Sequence, residues 1–352
     1  MVLRKTPFVG RARELEWIRR RNENQVYLPI FIYGPEGCGK TTLFIEAVRM
    51  FKRWFSDGLA IYINAEEDRD PRRIFHFSES LEAIVDSIAE SLGMSLLKLA
   101  GRLVADKVGL VVEKIYLRSR GVDRVFVVID EVVRSLGLRS VEGYAKSLYN
   151  AMNFRSEGEP LYGKILNYMA ITSEGRSRDL LSRHSYVGQS YIWNLSKEDF
   201  EKLYIELVKI YSPEDPSRTP SFSTIWRLYG GNPRRLIELA TEFRWDIEAH
   251  IESIRREKGI PGIVHIAREK NLVKRLREAT EDPDNLYKAT GTLRLARLLV
   301  EKNLIMELPR GLALGDTDPP VNSELGIGEN WAWQVPVYRD LVLKEIERVS
   351  SA

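Results

Sequence analysis

A single cysteine, Cys38, stands in 352 residues, so no internal disulfide framework can form. The four histidines are scattered without a Cys or His-Glu partner pattern, which excludes the ligand spacings of a protein-held zinc. No run approaches the roughly 20 uninterrupted apolar residues that cross a bilayer, and the opening MVLRKTPFVGR has no apolar secretory stretch. The expectation is a soluble, cytoplasmic chain with no membrane partner. No guanine-reading Asn-Lys-x-Asp segment occurs. Glutamine is scarce as well, three residues beside abundant Arg, Lys and Glu, a composition that leans toward heat-stable proteins. A net charge of +3 is too small to indicate nucleic acid by itself.

What is present is ordinary globular material, 44% apolar and 29% charged, enough for two or three domains. The most informative stretch is YLPIFIYGPEGCGKTTLFIEAVRMF, residues 27 to 51. Residues 27 to 33 are apolar and partly β-branched, as in a strand buried on both faces of a parallel sheet. From Lys40 onward, Leu43, Phe44, Ala47, Val48 and Phe51 recur at helical spacing. Between them, Gly34, four residues, Gly39, Lys40 and Thr41 fit G-x-x-x-x-G-K-S/T, a pattern that chance alone puts in roughly one chain in a hundred of this length. Glycine there lets main-chain N–H groups converge on phosphate oxygens, while the helix N-terminus adds partial positive charge. Gly34, Pro35, Glu36, Gly37, Cys38, Gly39, Lys40, Thr41 and Thr42 form the candidate phosphate-binding segment, with Lys40 toward the β- and γ-phosphates and Thr41 offering its hydroxyl to Mg²⁺. Cys38 occupies a variable position of this loop and reads as filler rather than as a redox residue.

Such a loop needs a carboxylate on a neighbouring strand. VDRVFVVIDEVV, residues 122 to 133, ends a five-residue apolar run in Asp130 and Glu131, at the carboxyl edge where parallel sheets bind ligands. Asp130 is assigned to the metal shell and Glu131 to orienting and polarising the attacking water, a general-base role of ~10²–10⁴-fold.

With FVGRARELEWI (8 to 18), INAEED (63 to 68), YMAITSEGR (168 to 176) and LYGGNPRRLIEL (228 to 239), the chain resembles the P-loop ATPases of the AAA+ and STAND group. Within it, the chain is most similar to the archaeal ATPase family and, more distantly, to archaeal origin-recognition-type initiators, over about residues 6 to 245. The resemblance implies ATP and Mg²⁺ as ligands. It implies that Phe8, Val9, Gly10 and Arg11 pack against the adenine, although RARELEWIRRR also reads simply as an amphipathic first helix. Thr172 or Ser173 would be the first sensor of the γ-phosphate, and Arg234 or Arg235 the second, just inside a helix opened by Asn232 and Pro233. Arg176, Arg178 and Arg183 are candidates for an arginine finger given across a homo-oligomer interface, Arg183 matching best.

The expected fold is α/β: a P-loop parallel sheet with helices on both faces over 1–195, a helical lid over 196–258 and a winged-helix domain over 259–352. Strands are expected at 27 to 33, 59 to 64, 124 to 129, 166 to 172 and 190 to 193, with helices at 40 to 54, within 72 to 118 and at 140 to 152. SPEDPSRTPS, 212 to 221, marks a loop between lid helices. In the last region, Lys288, Arg294, Arg297 and Lys302 lie on or beside a candidate recognition helix and could face double-stranded DNA. Residues 259 to 352 nevertheless hold 13 basic and 14 acidic side chains, a net −1 that is poor electrostatics for phosphate neutralisation. Two readings stay open: an ATP-hydrolysing motor or loader acting on DNA, and a slow switch whose nucleotide state sets a protein interaction. A kinase-type transfer is disfavoured by the lid and winged-helix tail.

Overall fold

The computed structural model describes residues 7–67, 71–78, 107–117, 119, 121–172, 176–211, 219–286 and 293–351. The chain divides into two compact units. One comprises Ala12–Tyr33 and Lys40–Tyr191; the other joins the segment ending at Arg11 and Gly34–Gly39 to the chain from Ile192 onward.

In the first unit the order is α1 (Ala12–Arg21), β1 (Ile30–Tyr33), α2 (Lys40–Trp54), β2 (Gly58–Asn64), α3 (Pro71–Ile74), β3 (Phe75–Phe77), α4 (Val108–Tyr116), β4 (Arg124–Asp130), α5 (Val132–Leu136), α6 (Val141–Asn153), β5 (Ile165–Ile171), α7 (Arg176–Leu181) and β6 (Gly188–Tyr191). The six strands form one sheet in the order β3-β2-β4-β5-β1-β6. All neighbours are parallel except β3, which pairs antiparallel with β2 as an edge strand. Parallel pairing demands crossovers, and the helices that supply them cover both faces. Leu43, Phe44, Ala47, Val48 and Phe51 of α2 are fully buried, with Phe51 stacked on Phe126 of β4 at 5.4 Å. Leu59, Ile61, Val125, Val127 and Ile129 share the other core with Val111, Val112, Ile115, Ala145 and Leu148. The chain leaves β1 toward β2 on one side and returns to β6 on the other, so the carboxyl end of β1 is the switch point where such sheets take ligands.

The expected strand over 27 to 33 begins only at Ile30. Pro29 has no N–H to give a ladder and so marks its start. The last strand of the sheet lies at 188–191 rather than 190–193, its register set by Ile30 opposite Gly188 and Tyr33 opposite Tyr191.

The second unit is mainly helical: α8 (Lys197–Tyr211), α9 (Phe222–Tyr229), α10 (Pro233–Thr241), α11 (Ile247–Glu257), α12 (Ile260–Glu269), α13 (Val273–Glu281), α14 (Leu293–Glu301) and α15 (Pro336–Ser350), with a two-stranded antiparallel sheet of β7 (Ile305–Glu307) and β8 (Trp331–Trp333). One apolar core runs through it, from Phe200 and Leu203 through Leu236, Ile254 and Ile260 to Leu299, Trp333 and Ile346. The last helix, α15, packs on α9, α11, α12 and α13. Trp333 is fully buried and its indole Nε1 donates to the Ala279 carbonyl at 3.0 Å. Asp284 accepts three main-chain N–H groups, from Glu329, Asn330 and Trp331, and thereby fixes the start of β8. Among the described residues no helix is long and apolar enough to cross a membrane.

Candidate nucleotide site

Two carboxylates organise the residues singled out by the sequence, one in each unit. In the first unit, Asp130 closes β4 and is 2% exposed. Its Oδ2 accepts from the Thr41 hydroxyl at 2.6 Å and from the Tyr62 hydroxyl at 2.5 Å, while its Oδ1 accepts the Glu131 N–H at 2.9 Å. The parallel register explains the meeting: Asn64 of β2 lies opposite Asp130, so Tyr62, two residues earlier, is the diagonal neighbour on the same face. Burial, and then the Asp130 charge, push the Tyr62 phenol well above its ordinary range, so it stays a donor. Thr41 itself is exposed on the first turn of α2, next to the buried Lys40.

Glu131 follows in a left-handed conformation (φ +52°) at the N-cap position of α5, a geometry that non-glycine residues adopt at a cost and that is enriched at functional sites. Thr172 is buried just past the end of β5, with its N–H on the Ile32 carbonyl of β1 at 2.9 Å. Ser173 lies outside the described residues. Arg183 is exposed on the turn between α7 and β6, and the Arg178 guanidinium sits 5.9 Å over the Tyr33 ring.

In the second unit the loop Gly34–Gly39 is held from many sides. Gly37 has φ +79°, and a Cβ there would come within 2.5 Å of the Arg234 Cβ, so both conformation and space demand glycine. Arg11, itself left-handed at φ +66° and buried, donates to the Cys38 carbonyl at 2.6 Å and the Trp193 carbonyl at 2.8 Å. Val9, part of the same lead-in, packs on the helical core. Cys38 is buried, its Sγ 3.7 Å from the Ile192 carbonyl.

Asn232 is wholly buried and does two things. Its Oδ1 caps α10 by accepting the Arg235 N–H, and its Nδ2 donates to the Glu36 carbonyl at 3.0 Å. The Arg234 N–H donates to the Gly37 carbonyl at 3.3 Å, and its guanidinium bonds Glu36 Oε1 at 2.8 Å and Glu238 Oε1 at 2.7 Å. Arg235 faces elsewhere: 3% exposed, it bonds Glu238, both oxygens of Glu257 and the Tyr338 hydroxyl, all at 2.7–3.1 Å. Adjacent helical positions differ by about 100° in direction, which is why consecutive arginines meet such different surroundings. The other oxygen of Glu36, Oε2, accepts from the Lys258 ammonium at 2.8 Å, and the Glu36 N–H donates to Gln334 Oε1 at 3.1 Å. Burial works to raise the Glu36 pKa, but Lys258 and then Arg234 outweigh it and hold the carboxyl down at about 2.

Sequence reasoning missed Tyr62, Lys258 and Gln334. Tyr62 was visible only as a β-strand aromatic; nothing in a linear reading pairs Glu36 with residues 222 and 298 positions away. Of the four candidate DNA-contacting residues, Arg294 and Arg297 are exposed three residues apart on α14, and Lys302 is exposed just past its end. Lys288 lies outside the described residues.

A parallel sheet whose switch-point strand runs into a glycine loop and a Lys-Thr helix start, and in which another strand ends in a hydroxyl-held aspartate, defines a P-loop nucleoside triphosphatase. Residues 8–239 match the family of ATPase domains found predominantly in Archaea, and the chain belongs to that family. It is accordingly an ATPase. No curated protein sequence matches the chain. Among solved structures it is similar to the Aeropyrum pernix ORC1 protein in complex with DNA (16% identity, 98% of this chain and 94% of that one, TM-score 0.44). It is likewise similar to the Aeropyrum pernix ORC2 protein in ADPNP–ADP complexes (13%, 99% and 98%, 0.46) and to CDC6P from Pyrobaculum aerophilum (14%, 99% and 96%, 0.39).

Proposed function

We propose that this ATPase works with Mg²⁺ and passes its nucleotide state to the helical C-terminal region through the phosphate loop itself. The observation that carries this reading is the packing of Gly34–Gly39: it is bonded to Arg11, Asn232, Arg234, Lys258 and Gln334, residues as far along the chain as the start of the last helix. A loop that must reshape around phosphate moves whatever holds it.

In this reading Lys40 and the amides of residues 37 to 41 bind the phosphates. Thr41 and Asp130, whose side-chain oxygens lie 2.6 Å apart, would supply hard oxygen atoms of the kind that suits Mg²⁺. Held by Thr41 and Asp130, Mg²⁺ would supply positive charge to offset the negative charge that develops on the phosphates. Glu131 accepts the proton of the attacking water or orients it, and Thr172 lies at the adjacent strand end as first sensor. Arg234 of α10, bonded to the loop through Glu36, suits the second-sensor role better than Arg235, whose donors are already taken up by Glu257, Glu238 and Tyr338.

We read 196–258 as the lid and 259–352 as a winged helix, α14 leading into a β7–β8 wing. Arg294, Arg297 and Lys302 then form a small basic face for double-stranded DNA, and Arg183 the finger offered to a second copy. The near-neutral charge of 259–352 supports the other reading, a STAND-type switch that presents this region to a protein partner. An ATPase assay with and without double-stranded DNA, repeated for Arg183→Ala, divides them. Turnover raised by DNA and lost on substitution identifies the motor; turnover indifferent to both identifies the switch.

A further inference from the structure

An acidic side chain inside a phosphate-binding loop poses an electrostatic problem. Glu36 carries its charge on the segment that must receive a polyanion, and like charges at short range repel strongly where water is partly excluded. We infer that Lys258, together with Arg234, is the positioning counter-ion that cancels Glu36 and so allows this loop to accept a nucleoside triphosphate. The inference rests on the phosphate-loop reading and adds to it a residue 222 positions from the loop.

The surroundings support it. Lys258 is 6% exposed at the C-cap of α11, where the negative end of the helix favours a cation. Its ammonium lies 5.2 Å from the Tyr338 ring centroid and 3.8 Å from Glu257, but its short contact, 2.8 Å, is to Glu36. A lysine is rarely buried unless paired. The charged groups facing one another here are Glu36 from the loop, Arg234, Arg235 and Glu238 from α10, and Glu257 with Lys258 from the end of α11. His250 of α11 lies 3.5 Å from Glu238, its Nδ1 2.8 Å from the Tyr229 hydroxyl. Three cations then meet three anions, so the cluster is neutral with Glu36 ionised. Removing Lys258 leaves it at −1 beside the phosphate loop; removing the Glu36 charge leaves it at +1. The low pKa of Glu36 fits a carboxylate kept ionised by these partners across the working pH range.

The test is a titration of the full-length chain with fluorescent methylanthraniloyl ATP and ADP, for the wild type, Glu36→Gln, Lys258→Met and the double variant, each checked for folding by circular dichroism. Lys258→Met is expected to weaken ATP binding about tenfold, and ADP binding less because ADP carries less charge. Glu36→Gln alone is expected to tighten ATP binding, and the double variant to return to within about twofold of the wild type. A lysine that is merely structural would leave the double variant as weak as Lys258→Met alone, and that failure of Glu36→Gln to restore binding overturns the inference. Should Lys258→Met not fold, Glu36→Gln decides alone: unchanged or weaker ATP binding overturns it. If the folded wild type binds neither nucleotide, the phosphate-loop reading falls and takes the inference with it; wild-type binding with no effect of Lys258→Met overturns the inference alone.

Discussion

Asp130 and Glu36 are both carboxylates tied to the candidate phosphate-binding segment, and each unit surrounds its own with different partners. Asp130 accepts from two hydroxyls and a main-chain N–H. Glu36 is held by an ammonium and a guanidinium, which cancel it. On the proposed reading the first carboxylate serves a cation, and the second is paired so that an anion can approach. Residue type alone does not distinguish them, and the partners decide what each carboxylate does.

Substitutions that keep shape and remove charge separate the two most sharply. Asp130→Asn is expected to lower the steady-state ATPase rate by ~10²-fold or more, because the charge opposing the metal is lost, whereas Glu36→Gln leaves turnover at saturating ATP within a fewfold of the wild type. A comparable loss in both would erase the distinction. Next in size, Arg235→Ala leaves Glu238 and Glu257 without their shared guanidinium and is expected to cost ~3 kcal/mol or more in urea unfolding, while Arg234→Ala, on a half-exposed side chain, costs under about 1 kcal/mol. Equal losses would mean that the two arginines are not divided between scaffold and loop.

Tyr62→Phe probes the hydroxyl side. It removes one donor from Asp130 without adding charge, and the Mg²⁺ concentration giving half-maximal nucleotide binding is expected to rise about two- to tenfold. No shift in metal dependence would make Tyr62 a packing residue only. The smallest effect concerns acid. A carboxyl whose folded pKa is lowered contributes stability above its unfolded value, and loses it as pH falls through the folded value. For Glu36, lowered from 4.5 to about 2, the loss falls between those two values. Glu36→Gln should therefore flatten the decline of the urea midpoint between about pH 5 and pH 3, and an unaltered slope would show that Glu36 contributes little to it.

The sheet was largely legible because its signals are local. The helix expected over 40 to 54 is Lys40–Trp54, and the apolar run ending in Asp130 is β4. The glycine loop pattern and the acidic end of β4 are likewise written within a short stretch of chain. The edge strand Phe75–Phe77 was not legible, since three residues give no period to read and its existence depends on β2. Neither was the orientation of Arg234 against Arg235, which depends on the rotation of α10 relative to partners from α11 and α15. The grip on Glu36 by Lys258 and Gln334 is purely tertiary, and a single sequence carries no trace of such pairings.

The most direct measurement is the calorimetric affinity of ATP for the wild type, Asp130→Asn and Glu36→Gln, each with Mg²⁺ and with EDTA. The account predicts opposite signs: Asp130→Asn weakens binding only when the metal is present, and Glu36→Gln tightens it with or without metal. Two folded variants that shift the affinity in the same direction under both conditions would contradict it.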